Sequence, residues 1–280
     1  MQQFLNHIQA ELSERYSDEE IRNFGFLIVE KVTGWNRTQI IVNKNTIFSS
    51  EQRNIADSFI EKLKNSEPIQ YITGETWFYG LKFKVDKNVL IPRPETEELV
   101  DWIRNDVSDT EMLSILDVGT GSGCIAIGLK SVLPMADVYA RDISAEALKV
   151  ASENAASNHL KVTFQQYDIL SAVDEIQKWN VVVSNPPYIP EAEKQQMNSN
   201  VLDYEPHLAL FVSDSNPLIF YEKIADFGLK HLKPGGKLFF ETHQNLAQAC
   251  VLLLADKGFI DIELRKDMYN NDRMIKALLK

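Results

Sequence analysis

The segment Leu113-Ser114-Ile115-Leu116-Asp117-Val118-Gly119-Thr120-Gly121-Ser122-Gly123 runs from a strand pattern into a glycine-rich turn. The pattern predicts a helix next, from about Cys124 to Val132. Glycines allow positive φ and let a ligand approach the backbone closely. The N-terminus of the helix points its free N–H groups at whatever binds. The spacing excludes two common uses of such a turn. A dinucleotide fingerprint needs G-x-G-x-x-G, and its third glycine position is Cys124 here. A P-loop needs Lys-Ser or Lys-Thr after the glycines, and neither pair is present there.

Downstream of this turn, strand and helix patterns alternate. Strands are predicted at Ala136–Ala140, Val162–Gln166, Val181–Ser184, Lys237–Glu241, Phe259–Leu264 and Arg273–Leu279. Helices are predicted from Ser144 to about Ser157, from Phe220 to Leu232 and from about Asn245 to Asp256, with Ser144 as a cap. This alternation predicts an α/β fold: a doubly wound, mainly parallel sheet covered by helices.

Upstream, the pattern is different. Residues 3–65 read as helices. Phe4, Leu5, Ile8 and Leu12 recur at helical spacing. Asp18 is a candidate cap for a second helix carrying Ile21, Phe24, Ile28 and Val32, which Gly34 ends. A further helix starts near Ser49-Ser50. This bundle is either a structural cap or a docking surface for a substrate. Pro68 marks a boundary, and residues 75–85 read as a hairpin with one wet face. The expected organisation is a helical domain at 1–67, a linker with the hairpin at 68–93, and the α/β domain at 94–280. Pro92 and Pro94 stiffen the segment between hairpin and sheet, and Pro94 is placed to open a helix. Arg93, held between them, reads as a cap or an ion-pair partner for a nearby carboxylate.

Within the α/β domain, the acid Asp117, the glycines and a second acid, Asp142, form one pattern. Asp142 follows Asp117 by 25 residues and ends the next strand. A carboxylate there accepts both hydroxyls of a ribose. Asp117 and the backbone of Gly119, Thr120, Gly121, Ser122 and Gly123 are expected to face a ligand with a cationic group. S-adenosylmethionine has such a group and lacks a pyrophosphate. Another nucleotide or a purely structural turn also fits the glycines alone. Asp168 is a candidate partner for an adenine amino group, or a turn cap.

A second constellation lies at Val181-Val182-Val183-Ser184-Asn185-Pro186-Pro187-Tyr188. The β-branched run suits a central strand covered on both faces. Pro186 and Pro187 force the chain out of the sheet. The exit is a stiff platform carrying one amide, free carbonyls and an aromatic ring, at the strand end where α/β sheets bind ligands.

Composition limits the classes. The chain has 280 residues, 44% of them hydrophobic and 25% charged, as in a globular protein with an ample core. A net charge of −11 argues against a nucleic-acid backbone as the main partner. Two cysteines, Cys124 and Cys250, imply no disulfide framework and fit a reducing cytoplasm. Cys124 reads as a small packing residue. The start of the chain lacks a signal-peptide pattern, no apolar run approaches a membrane span, and no metal set is evident. Glu241 reads as a crevice-lining residue or a sheet-edge cap. His207 and His243 read as packing or surface residues.

With these residues together, the chain resembles the class I S-adenosylmethionine-dependent methyltransferases. Asn185-Pro186-Pro187-Tyr188 narrows the resemblance to enzymes that methylate an amino group conjugated to a planar π-system. The segments Leu90 to Glu97, Pro68 to Gly74 and Tyr204-Glu205-Pro206 are similar to those of the release factor glutamine methyltransferase family (the PrmC, formerly HemK, type). The resemblance covers essentially the whole chain. It implies a seven-stranded Rossmann-like sheet and a helical domain that helps hold a bacterial class 1 peptide chain release factor. It implies methylation of the Gln of the Gly-Gly-Gln motif at N5, leaving S-adenosyl-L-homocysteine. By the same resemblance, Gly119 to Gly123, Asp142 and Asn185 contact the cofactor, and Asn185, Pro186, Pro187 and Tyr188 bind the glutamine. A cytoplasmic monomer without direct nucleic-acid contact is expected. Two positions depart from the family pattern. Ile169, often aromatic there, keeps an apolar wall against adenine but loses stacking. Arg141 replaces an aliphatic residue and is expected to be neutral for binding. Two rival readings are a nucleic-acid amino methyltransferase and a non-catalytic cofactor-binding scaffold.

Overall fold

The computed structural model describes residues 2–108, 112–171 and 175–280. It divides into two compact units. One comprises the chain up to Glu75 together with 198–204, and the other comprises 76–197 and 205–280.

The first unit contains α1 (Gln2–Leu12), α2 (Asp18–Thr33), α3 (Arg37–Val42), α4 (Ser50–Lys64) and α5 (Ile69–Thr73). Ser17, and not Asp18, caps α2. Its hydroxyl accepts the Glu20 N–H while the Glu20 carboxylate accepts the Ser17 N–H, closing a capping box. Asp18 is instead the first helical residue, where the dipole favours its charge. Asn36 and Ser49 cap α3 and α4 in the same way, and Gly34 ends α2 at φ 71°. Phe4, Ile8, Leu12, Ile21, Ile28, Ile60 and Leu63 fill the core. Ile69 and Ile72 belong to that core too. Their burial extends the unit through α5 to Glu75, beyond the expected boundary at Pro68.

The second unit begins with a hairpin of β1 (Glu75–Phe78) and β2 (Leu81–Lys84). Then come α6 (Pro94–Asp106), β3 (Ser114–Val118), α7 (Cys124–Val132), β4 (Asp137–Asp142), α8 (Ala145–Ser157), β5 (Thr163–Gln166) and β6 (Trp179–Ser184). After the short β7 (Ile189–Pro190), α9 (Ser199–Leu202), α10 (His207–Leu210) and β8 (Phe211–Val212), the unit ends with α11 (Ile219–His231), β9 (Leu232–Glu241), α12 (Ala247–Asp256), β10 (Ile260–Lys266) and β11 (Asp272–Leu278). Pro94 occupies the first helical position of α6, where its missing N–H costs nothing.

The seven-stranded sheet has the order β10-β11-β9-β6-β3-β4-β5. Its five strands from β5 to β9 are parallel, and β11 and β10 close it antiparallel. The expected doubly wound sheet is therefore present. Alternate side chains fill opposite cores. Ile115, Val181, Val183 and Phe239 pack on one face with Leu99, Ile103 and Leu129. Leu116, Val182, Leu238 and Phe240 pack on the other with Tyr221, Ile224 and Leu254. Burial on both faces explains why these strands read as continuous apolar runs.

Candidate active site

The chain winds from β3 through β4 to β5 in one direction, then returns to β6 on the other side of β3. The carboxyl ends of β3 and β6 lie side by side, Val118 opposite Ser184, and a crevice opens at such a reversal. Ser184 Oγ donates to the Val118 carbonyl at 2.6 Å, tying the two ends together. Val118 leads into the glycine turn and Ser184 into Asn185-Pro186-Pro187. A cavity of about 300 Å³ lies over both.

Most of the expected site residues line it: Gly119, Thr120, Gly121, Ser122, Asp142, Asp168, Ile169, Asn185, Pro186 and Pro187. Gly119 and Gly121 have φ of 73° and 55°, and a Cβ on either would meet only open space. The Asp142 carboxylate accepts the Gly121 N–H at 2.8 Å and the Ser144 N–H at 2.9 Å. It thus shapes the turn and faces the cavity, and burial raises its pKa. Asn154 Nδ2 donates to the Ser122 carbonyl at 2.9 Å, holding the far side of the turn. Asp168 lines the cavity and also caps its own turn, accepting from Leu170 N–H and Ser171 Oγ.

Three expected residues are placed elsewhere. Asp117 is fully buried beneath the turn, accepts the Thr120 hydroxyl at 2.6 Å, and does not line the cavity. Burial pushes its carboxyl up to about 7, and its bond with the Thr120 hydroxyl braces the loop. Gly123 also lies outside the lining. A Cβ there would sit 2.9 Å from Ile127 Cδ1 and 3.1 Å from Ala151 Cβ, so this glycine lets α7 and α8 approach. Tyr188 turns away. Its hydroxyl donates to Glu241 Oε1 at 3.2 Å, and its ring centroid is 6.0 Å from that of His243. Burial, then the Glu241 charge, push its pKa well up.

Other contributions to this region were less visible in the sequence. Leu90, Pro92, Arg93 and Thr96 line the cavity, as does Tyr167 beside Asp168. The Pro92-Arg93-Pro94 rigidity was the signal for the first group. Arg93 pairs with Glu205 at 2.6 Å, as an ion-pair reading of Arg93 required. Strand alternation does turn Arg141 away from Asp142. It binds Glu175 at 2.7 Å and lies 4.4 Å from the Tyr167 ring centroid. Arg141 therefore backs an aromatic wall of the cavity, a contact its expected neutrality left out. Glu241 lies in the sheet interior, where β9 is flanked by β6 and β11, so it is no edge cap. It accepts the Thr96 hydroxyl at 2.6 Å, and burial raises its pKa. Among the described residues, no group of three or more His, Cys, Asp or Glu is placed to hold a metal ion.

Comparison with known proteins gives two family matches. Residues 3–74 match the PrmC N-terminal domain and residues 96–203 the methyltransferase small domain. Over 273 residues the chain is 44% identical to the release factor glutamine methyltransferase of Flavobacterium psychrophilum, covering 96% of this chain and 95% of that one. The chain belongs to the release factor glutamine methyltransferase family. Another family member, the release factor glutamine methyltransferase of Bacteroides thetaiotaomicron, is 43% identical over 279 residues, with 99% of each chain covered. Among solved structures, a methyltransferase from Pyrococcus furiosus matches with TM-score 0.52 at 16% identity, covering 71% of this chain and 89% of that one. The T. thermophilus 16S rRNA N2 G1207 methyltransferase, solved with AdoMet and guanosine, matches with TM-score 0.54 at 16% identity, covering 74% and 50%. These two likenesses concern the fold of this family member's sheet unit.

Proposed function

We propose that this chain transfers the methyl group of S-adenosylmethionine to the side-chain amide nitrogen (N5) of the glutamine in the Gly-Gly-Gln motif of bacterial class 1 peptide chain release factors. The observation that carries the reading is the cavity at the β3–β6 switch point. There the Asn185-Pro186-Pro187 exit stands beside the glycine turn and Asp142, in a member of this family.

The cavity suits S-adenosylmethionine. Open space over Gly119 and Gly121 admits a ligand against the backbone. Asp142 and Asp168 supply acceptors for ribose hydroxyls and an adenine amino group, and Ile169 supplies an apolar wall. Bound there, the group supplies a strongly electrophilic methyl on a sulfonium.

An amide nitrogen is a weak nucleophile because its lone pair is delocalised into the carbonyl, so the protein's task is alignment. Asn185 Nδ2 is engaged by Thr96 Oγ1 at 3.4 Å, which leaves Oδ1 as an acceptor. The Pro186 carbonyl is the second. Two acceptors fix the plane of the target NH2 and stabilise positive charge growing on its nitrogen. Tyr188 does not stack on the amide in this reading and supports Glu241 from behind the platform. The proton leaves to water after transfer, and no side-chain base is assigned. The helical unit is assigned to holding the release factor, and the reaction to the cytoplasm.

Mass spectrometry of a Gly-Gly-Gln-containing release factor after incubation with enzyme and S-adenosylmethionine should show one added methyl on that Gln. Methylation of DNA or tRNA, with none on the factor, would replace this reading. Asn185→Ala should keep the fold and much of the cofactor affinity and lose about 10²–10³ in turnover.

A further inference from the structure

Asn185 serves as an acceptor only if its carboxamide is turned one way round. The two ends of a carboxamide are nearly equal in size and opposite in hydrogen-bonding sense. Packing alone cannot choose between them, so a partner of fixed polarity has to.

Such a partner is present behind the platform. Thr96 Oγ1 lies 2.6 Å from Glu241 Oε2 and 3.4 Å from Asn185 Nδ2. A hydroxyl carries one proton. If Thr96 gives it to the Glu241 carboxylate, only lone pairs face Asn185, and only the NH2 end of the amide satisfies them. The other carboxylate oxygen takes the Tyr188 hydroxyl at 3.2 Å. Both oxygens of Glu241 are thus acceptors in one chain of polarity. Burial raises the pKa of Glu241, and the Thr96 hydroxyl, the charge of Arg273 on the adjacent strand β11 and the Tyr188 hydroxyl act against that rise. Glu241 is 1% exposed and does not line the cavity, so it touches neither ligand and acts through Thr96. Thr96 is in place because Pro94 opens α6 two residues earlier.

We propose that Thr96 and Glu241 are positioning residues for the methyl transfer. Their relay of hydrogen bonds fixes the Asn185 carboxamide with Nδ2 held by Thr96 Oγ1 and Oδ1 free for the target N–H. The inference rests on the function proposed above for Asn185. Its structural half, the orientation of one side-chain amide, is measurable without any substrate.

The test compares Thr96→Val, which keeps shape and deletes the hydroxyl, with Thr96→Ser, which restores it. In protein labelled with ¹⁵N-asparagine, the Asn185 side-chain NH2 signals are assigned by their loss in Asn185→Ala. Thr96→Val should shift these signals and Thr96→Ser should return them to the wild-type positions. Thr96→Val should lower kcat and kcat/KM together by about tenfold or more, with S-adenosylmethionine affinity unchanged within about twofold, while Thr96→Ser keeps most of the turnover. Unmoved NH2 signals in Thr96→Val, or equal losses of turnover in the Val and Ser variants, overturn the proposal. If Thr96→Val does not fold, Glu241→Gln carries the test. Its NH2 end reverses one link of the chain, so shifted Asn185 signals and reduced kcat support the proposal, and wild-type values of both overturn it. A wild-type enzyme that leaves the Gly-Gly-Gln glutamine unmodified while the signals shift as described defeats only the function reading. Normal methylation with unmoved signals defeats only this one.

Discussion

Arg93 Nη2 donates to Glu205 Oε1 at 2.6 Å across 112 positions of sequence, and the other oxygen of that carboxylate accepts the Ile91 N–H at 3.1 Å. One carboxylate therefore anchors the Leu90–Arg93 wall of the cavity through both a side chain and the backbone. The partners differ in exposure. The Glu205 side chain is 2% exposed and that of Arg93 is 32% exposed.

That asymmetry predicts unequal losses. Arg93→Ala leaves a buried carboxylate without its cation and should cost about 3 kcal/mol, whereas Glu205→Gln leaves a guanidinium within reach of water and should cost about 1 kcal/mol. Chemical denaturation of the two variants measures both. Equal costs would mean that the pair behaves as an exposed salt bridge.

The glycines of the turn should separate into two kinds. Gly123→Ala places a methyl 2.9 Å from Ile127 Cδ1 at φ 84° and should destabilise the fold by about 2–3 kcal/mol. Gly119→Ala at φ 73° meets no neighbour, so only backbone strain of about 1 kcal/mol applies. Its methyl projects into open space at the cavity, and its main effect should be weaker cofactor binding. Thermal denaturation and calorimetric titration distinguish the two. A Gly119→Ala protein with unchanged affinity would place the ligand away from the turn.

Asp117 gives the protein a pH signature. Its folded carboxyl titrates at about 7 against an ordinary value of 3.8. Below 3.8 both the folded and unfolded states hold the proton, and the group costs nothing. Between 3.8 and 7 the unfolded chain releases it while the folded one retains it, so stability falls as pH rises. Above 7 the loss is constant, with a ceiling of about 4 kcal/mol. Asp117→Asn still accepts the Thr120 hydroxyl and lacks this slope. Its stability relative to wild type should therefore increase from pH 4 to pH 7, as followed by denaturant unfolding at several pH values. A flat difference would mean that Asp117 is ionised in its buried site.

Burial pushes the thiols of Cys124 and Cys250 each up to about 12. The thiolate is the reactive form, so the fully buried Cys250 should not react with a disulfide reagent at pH 8 in the folded protein, and the half-buried Cys124, which lines the cavity, should react only slowly. Both should react after denaturation. Rapid native labelling of Cys124 would contradict the packing role assigned to it.

The sheet was legible because strand and helix periods differ and because β3 and β6 are buried on both faces. Element ends were less so. Ser17 rather than Asp18 caps α2, since both residue types suit the position and only the reciprocal bond with Glu20 decides. In the site, the residues that line the cavity carried a local pattern: glycines at a strand end, an acid ending the next strand, Asn-Pro-Pro. Asp117, Gly123 and Tyr188 lie next to lining residues in sequence, but adjacency does not say which way the Asp117 and Tyr188 side chains turn, or that the Gly123 backbone packs closely on Ala151. The Thr96–Glu241 contact spans 145 positions and left no local trace.

The helical unit includes residues 198–204, and the Tyr204 hydroxyl donates to the Asn65 carbonyl at 2.7 Å within it. During synthesis, then, the amino-terminal helices leave the ribosome before the segment that supplies the Tyr204 contact has been made. They wait for roughly 130 further residues, about 6 to 26 s at ordinary elongation rates, while strands β1 to β6 emerge. A fragment cut at residue 75 would lack that segment, and appending 198–204 through a flexible tether is the natural way to make the unit stand alone.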